Sequence, residues 1–362
     1  MSAAEARHVA LDATLYADPA RARAEIATIF RSTWQVAALA HALATPGSYA
    51  TAEIGGMPVV LTRDLDGVLH GFRNVCPHRA MILADGAGPA KLLQCPNHAW
   101  TFTLQGRLRN APRADREPSF CRDGLDLAPV AVCEWGPLVL VNMDAGAQPP
   151  RAELDAMSAS IAAAGMDLDA LVPVGPVYDW DIGANWKIVC ENYLECYHCA
   201  VVHPSFSKVF DVSAERYALA PAGDLLSATA EVKDTRKVDE QQAVLATRAG
   251  PVEGSLWHLL FPAMTINIYP GEGAFEATWY WPVDADTTAG RTAVFLPEGA
   301  SEDYARQVTE LSLQVGEEDN RLCEAMHRGM ASGAIERGRL MEDSEALLVR
   351  FQRRVRELMG EV

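Results

Sequence analysis

At 362 residues the chain is long enough for two or three domains and a sizeable buried core, which excludes a small stapled module. An apolar fraction of 49% with 22% charged residues is that of a folded globular protein rather than a disordered or fibrous one. Lys and Arg number 31 against 48 Asp and Glu, and the net charge of −17 has the wrong sign for a phosphate backbone or an anionic lipid surface, so neither a nucleic acid nor a membrane is expected as partner.

The opening MSAAEARHVALDATLYADP lacks the basic start and apolar centre of a signal peptide, and no apolar run reaches the ~18 residues of a membrane span, so a cytoplasmic location is expected. In PARARAEIATIFRSTW, Ile26, Ile29 and Phe30 recur at helical spacing behind Pro19, which predicts a helical segment within 1–34 that packs on a larger domain. From 35 to 148 the pattern changes to short β-rich runs such as MPVVLTRD, WTFTLQG and PLVLVNMD between Gly, Pro and Asp, the pattern of a small all-β domain. The segment AGAQPPRAELD carries paired prolines and a helix start, and marks the boundary to a second domain over 149–362. Strand-like SLWHLLFPAMTINIYP, FEATWYWPVD and GRTAVFLP are followed by apolar residues at three and four from Glu302 to Met359, with a looser connector from Met326 to Glu342. The fold class expected is α+β: an all-β domain beside an antiparallel-sheet domain with C-terminal helices.

Two short motifs lie in the β domain. Cys76-Pro77-His78 is followed, after sixteen intervening residues, by Cys95-Pro96-Asn97-His98. Two thiolates and two imidazoles suit either a tetrahedral zinc site or a mixed-ligand [2Fe-2S] centre. In zinc sites ligands of one kind usually come in pairs, whereas here each loop supplies one Cys and one His, which suits two irons, one held by sulfur and one by nitrogen. Pro77 and Pro96 stiffen the loops, and Trp100 and Phe102 are placed to shield a cluster. These loops resemble the ligand loops of Rieske iron–sulfur domains.

Downstream, His198 and His203 stand five apart behind Glu195, close to a turn and a half of helix. A mononuclear Fe(II) that reacts with O2 takes two histidines and one carboxylate on one face. Spacing alone does not choose the acid among Glu317, Glu318 and Asp319. The runs Asn185-Trp186-Lys187, Glu191-Asn192-Tyr193 and Glu195-x-x-His198-x4-His203 resemble the signature of Rieske non-haem iron oxygenase catalytic subunits over nearly the whole chain. That resemblance implies Asp319 as the carboxylate with His198 and His203, with Glu317 or Glu318 as the fallback, and Asn192 as part of the catalytic set. It further implies a helix-grip catalytic fold, a Rieske cluster and mononuclear Fe(II) as cofactors, O2 as co-substrate, and an α3 ring. Glu195 stands where the family usually has Asp, the residue that bridges the iron site to the cluster of a neighbouring subunit. Such a carboxylate can hydrogen-bond the free N–H groups of both histidines.

No G-x-G-x-x-G follows a strand, so a separate NAD(P)H-dependent flavin/iron–sulfur reductase is the expected electron source. The Glu195 motif resembles the branch that oxidises quaternary ammonium compounds such as betaines, carnitine and stachydrine. Tyr193, Tyr197, Trp257, Tyr269, Trp279 and Trp281 offer ring faces for such a cation. Oxidative N-demethylation or C–N cleavage is therefore expected, ahead of aromatic-ring hydroxylation and of a Rieske electron carrier without oxygenase activity. His8, His41, His70 and His258 have no partner motif and are expected on the surface or satisfied in the core. His327 is near Asp319 in sequence, and Cys196 and Cys199 are expected as buried apolar packing rather than a C-x-x-C redox pair.

Overall fold

The computed structural model describes residues 9–213, 216–233 and 250–361; His8 lies outside them. Two units are distinguished: Phe30–Pro150 forms one, and the segments on either side of it form the other. No helix among the described residues is long and apolar enough to cross a membrane.

In the Phe30–Pro150 unit a seven-stranded antiparallel sheet runs Gln35–Leu39, Leu138–Asn142, Pro129–Trp135, Leu69–Arg73, Met57–Arg63, Ser48–Ile54, Ala87–Pro89, beside a three-stranded sheet of Leu93–Gln94, Thr101–Phe102 and Leu108–Asn110. Strand alternation divides the interior. Val59 and Leu61 join Ala50, Val139 and Val141, while Val60 joins Phe72, Cys76, Cys95, Trp100 and Phe102. The second cluster is the apolar floor under both Cys/His loops.

The other unit is built on a seven-stranded antiparallel sheet in the order Leu171–Ile182, Thr288–Pro297, Ala274–Pro282, Met264–Tyr269, Gly254–Leu260, Leu225–Glu231, Tyr217–Ala222. Its helices are α1 (Pro19–Glu25), α2 (Arg151–Ala163), α3 (Trp186–Tyr193), α4 (Cys199–Val202), α5 (Pro204–Val209), α6 (Glu302–Ala331) and α7 (Ala346–Leu358). Helix α6 starts at Ser301, whose side chain accepts from Tyr304 N, with Glu302 and Asp303 in the first turn, where the macrodipole favours acids. Its Tyr304, Val308 and Leu311 pack with Trp257, Tyr269, Val294 and Leu296 of the sheet. The connector expected from Met326 begins later, because nothing breaks the helix before Gly333 at φ +70°, and it holds the strand Arg337–Arg339, which pairs with Val9–Asp12.

Charge, not only apolar contact, fixes α1 and α3. Lys187 is fully buried in the first turn of α3, and its Nζ lies 2.7 Å from Oε2 of Glu25, itself at zero exposure. The same Oε2 accepts from Trp186 Nε1 at 2.8 Å, and Oε1 accepts from Arg21 Nε at 2.8 Å. One turn on, Glu191 Oε1 accepts from Tyr16 at 2.8 Å and from Gln352 of α7 at 3.1 Å. Burial lowers the Lys187 ammonium against the opposing pull of Glu25, and burial raises Glu191 to about 7 although Tyr16 and Gln352 favour its ionised form.

Two outcomes are expected. Lys187→Met leaves Glu25 without its ammonium in the interior and costs about 3–5 kcal/mol in urea denaturation, part of which returns in the Glu25→Gln/Lys187→Met double variant. An unchanged midpoint for the single variant would show that the pair contributes nothing. Because Glu191 ionises near 7 when folded against an ordinary 4.5, the unfolded chain loses this proton first; stability falls as pH rises from about 4.5 through about 7 and is level above. Glu191→Gln keeps the oxygen acceptor and removes that slope, a difference of about 3 kcal/mol between wild type and variant across the window.

Candidate metal centres

In the β unit the two loops fold alike. Cys76 N–H bonds Met81 O and Ala80 N–H bonds Cys76 O, at 2.8 and 3.0 Å; Cys95 N–H bonds Trp100 O and Ala99 N–H bonds Cys95 O at the same distances. Ala80 and Ala99 both take φ 56°, a left-handed conformation that costs a non-glycine residue about 1–2 kcal/mol, so each turn is held by its surroundings. The result buries both cysteines, at 1% and 2% exposure, and leaves both histidines exposed. His78 meets His98 edge-on at 4.7 Å and stacks on Trp100 at 4.8 Å. Burial and the facing Cys95 thiol push the Cys76 thiol up, while the His78 and Arg79 N–H groups favour its thiolate. Paired sulfurs below and paired nitrogens above suit a cluster with one iron at each level. Among the described residues these four do not gather around one point as a single ion would require.

A different geometry holds in the other unit. Asn185 caps α3, accepting from Lys187 N at 3.2 Å, and α3 leads through Leu194 into Glu195. Five residues turn an ideal helix by about 140° from alignment, so one continuous helix would point His198 and His203 apart. The helix is instead broken: α4 stops at Val202, and His203, preceding Pro204, takes φ −114° and ψ 70°, because proline disfavours helical backbone before it. Nε2 of His198 and Nε2 of His203 then lie 3.2 Å apart, and Oδ1 of Asp319, from α6, lies 3.5 and 2.9 Å from them. These three are the one group of ligand atoms within 4.8 Å of one another among the described residues.

Each imidazole is held from behind. Glu195 takes His198 Nδ1 and also accepts from the N–H groups of Tyr197 and His198, which fixes the turn. Glu195 does not reach both rings, contrary to expectation: its short turn places it against His198 only, and Nδ1 of His203 meets Glu318 at 2.7 Å. The fallback acids therefore part company, since Glu318 faces the far side of His203 and Glu317 pairs with Arg321 in solvent. Asn192 Nδ2 donates to Asp319 Oδ1 at 2.7 Å. Burial disfavours the His198 imidazolium, but Asp319 and Glu195 outweigh it and raise the group to about 9; burial likewise opposes the Asp319 carboxylate, and the two imidazoles bring it down to about 2. Where the three ligand atoms meet, the chain stabilises positive charge, and a divalent ion displacing those protons fits the donor set.

A cavity of about 300 Å³ adjoins this face. Of the aromatic residues singled out in the sequence, Tyr193, Trp257 and Tyr269 line it. Tyr197 does not; it is 64% exposed. Trp279 and Trp281 do not either, because alternation along Ala274–Pro282 turns Glu276, Thr278 and Tyr280 to the cavity and those tryptophans to the opposite face. Sequence reading missed Trp180, Phe206, Tyr217, Asn267, Glu276 and Tyr280, although an acid at period two with Thr278 and Tyr280 was a usable signal. Trp180 lies over Gly290 of the adjoining strand, where any Cβ would come within 2.1 Å of the indole.

The remaining residues have ordinary roles. His258 is buried between Ser227 and Ser160 at 2.7 and 2.9 Å and burial holds it near 4, a neutral core histidine. His70 meets Asp64 at 2.9 Å, His327 meets Asp286 at 3.0 Å, and His41 is exposed. Cys196 and Cys199 are buried as expected, but they are joined as a disulfide rather than packed as free thiols, their side chains brought together by the turn into α4.

Residues 168–361 match the family model of the ring hydroxylating alpha subunit (catalytic domain), and residues 33–127 match the Rieske [2Fe-2S] domain. The chain belongs to the catalytic alpha subunits of the Rieske non-haem iron oxygenases, enzymes whose cofactors are a Rieske [2Fe-2S] cluster and a mononuclear iron. It is similar to the carnitine monooxygenase oxygenase subunit of Escherichia coli (strain K12), 32% identical over 337 residues, 92% of this chain and 88% of that protein. The chloroplastic choline monooxygenase of Beta vulgaris is 33% identical over 204 residues, 55% of this chain and 45% of that protein. Of the solved structures, the quaternary ammonium Rieske monooxygenase CntA in complex with γ-butyrobetaine is similar at TM-score 0.81 and 26% identity, covering 97% of this chain and 95% of that one.

Proposed function

We propose that this chain is the oxygenase component of a cytoplasmic multicomponent system, supplied with electrons by a separate NAD(P)H-dependent flavin/iron–sulfur reductase, and that it removes a methyl group from, or cleaves the C–N bond of, a quaternary ammonium substrate. The observation that carries this reading is the aromatic-lined cavity opening on the His198, His203 and Asp319 face. Trp257 sits among Phe206, Phe210 and Tyr217 with ring centroids 5.5 to 6.0 Å apart, and ring faces attract an alkylammonium that has shed its water. The carnitine and choline monooxygenase relatives support the same substrate class.

In this reading Cys76 and Cys95 would hold one iron of the cluster and His78 and His98 the other, while His198, His203 and Asp319 would hold Fe(II) beside the cavity. When bound, the cluster delivers single electrons and the mononuclear iron activates O2. The chain does the rest. Glu195 and Glu318 fix the tautomer and tilt of the two imidazoles, Asn192 holds Asp319 in place, and the rings of the cavity exclude water and hold the alkylammonium against the open face. In an α3 ring, Glu195 would also serve as the bridge for electrons between this iron site and a neighbouring subunit's cluster. Hydroxylation of an N-methyl C–H consumes O2, two electrons and two protons, releases one water, and leaves an N-hydroxymethyl group that departs as formaldehyde.

Two measurements test this. Iron per chain should fall from about three to about two in His203→Ala while the electron paramagnetic resonance signal of the reduced mixed-ligand cluster stays unchanged; two irons in both fully loaded proteins would leave only an electron carrier. Turnover of quaternary amines with a reductase should release, per O2 consumed, one tertiary amine and one carbonyl product, formaldehyde for N-demethylation or the carbonyl of the cleaved chain for C–N cleavage. Diols from arenes without formaldehyde would reverse the substrate assignment.

A further inference from the structure

Glu276 is a carboxylate at 3% exposure in the wall of the cavity, on the strand face shared with Thr278 and Tyr280. Its Oε1 accepts from Asn267 Nδ2 at 2.7 Å, with the Tyr269 hydroxyl at 3.4 Å. Asn267 in turn accepts from the Tyr193 hydroxyl at 2.6 Å, so the carboxylate is aligned by a relay that begins at the end of α3. Its Oε2 is buried with no partner in hydrogen-bond geometry, and the Ser312 hydroxyl of α6 also faces the carboxyl and favours its ionised form. A buried carboxylate oxygen without a partner is costly, and such an atom in a ligand cavity marks a place where the ligand supplies the missing charge.

We infer that Glu276 is the counter-charge for the cationic head of the substrate, and that the cavity selects a substrate with net positive charge over a zwitterion that carries its own carboxylate. This rests on the quaternary-ammonium reading above and narrows it. A quaternary nitrogen has no N–H to donate, so its partners are ring faces and a bare negative charge; Tyr269, Trp257 and Glu276 in one wall provide both. A substrate carboxylate, by contrast, needs a cation or several converging donors. Among the described residues that line the cavity there is no Lys and no Arg, and the acids Glu195, Glu276 and Asp319 are of its own sign, as is the exposed Glu317, which pairs with Arg321. Burial raises the Glu276 carboxyl, with Ser312 and Asn267 opposing; an adjacent cation restores the ionised form that burial disfavours.

The experiment is calorimetric binding to the iron-loaded enzyme under anaerobic conditions, with choline, its uncharged carbon isostere 3,3-dimethylbutan-1-ol, and γ-butyrobetaine as probes. Wild type should bind choline at least about tenfold more tightly than either of the others. Glu276→Gln, which keeps the oxygen that accepts from Asn267, should bring the three within about threefold of one another, with the cluster spectrum and melting temperature unchanged. Equal choline affinity in wild type and Glu276→Gln overturns the inference. So does tighter binding of γ-butyrobetaine than of choline by wild type, a comparison that needs no variant; if formaldehyde is still released from the zwitterion, the quaternary-ammonium reading survives and only the charge selection falls. Failure of both charged probes to bind, with arenes binding instead, overturns the inference and that reading together.

Discussion

A lysine ammonium with no exposure is the constraint on which the catalytic unit depends. Lys187 is out of reach of solvent, so the first turn of α3 needs a carboxylate beside it, and α1 brings Glu25 to that place. The same carboxylate also takes the Trp186 indole, and a turn later Glu191 takes Tyr16 and Gln352. Apolar packing alone tolerates small slides between helices; directional bonds to buried charges do not. The rotation of α3 is thereby set, and with it the positions of Asn192 against Asp319 and of Tyr193 against Asn267.

Much of this was legible in the residues, and the part that was not has physical reasons. The two Cys/His loops can be read from spacing because the candidate ligands are local and the thiol–imidazole pairing restricts the chemistry. The α+β class follows from the change of periodicity near the paired prolines. Asp319 differs: it comes from α6, more than a hundred residues away, and neighbouring acids of the same helix have the same composition and burial pattern to a sequence reader. Resemblance singled it out. The division of labour between Glu195 and Glu318, each holding one imidazole, depends on the break at His203-Pro204, whose angular consequence no periodicity reveals.

The cavity wall shows the opposite failure, where local rules were available and not applied. Tyr197 stands one residue from His198, but proximity along a turn says nothing of direction, and its ring points to solvent. Counting by twos along Ala274–Pro282 from Thr278 separates Glu276 and Tyr280 from Trp279 and Trp281. Aromatic content drew attention to the wrong face, and the acid that shares a face with two cavity residues went unremarked.

The carboxylates of the catalytic unit fall into two groups with different electrostatic tasks. Asp319, Glu195 and Glu318 surround the imidazoles and lower the energy of positive charge at the point where the ligand atoms meet. A cationic substrate brought beside that point would be repelled by a divalent ion held there unless the cavity carried negative charge of its own. Ring quadrupoles attract the cation, but each contributes only about 0.5–2 kcal/mol and none carries net charge. A full counter-charge on the cavity wall, with Oε1 held by Asn267 and Oε2 without a partner in hydrogen-bond geometry, meets that requirement.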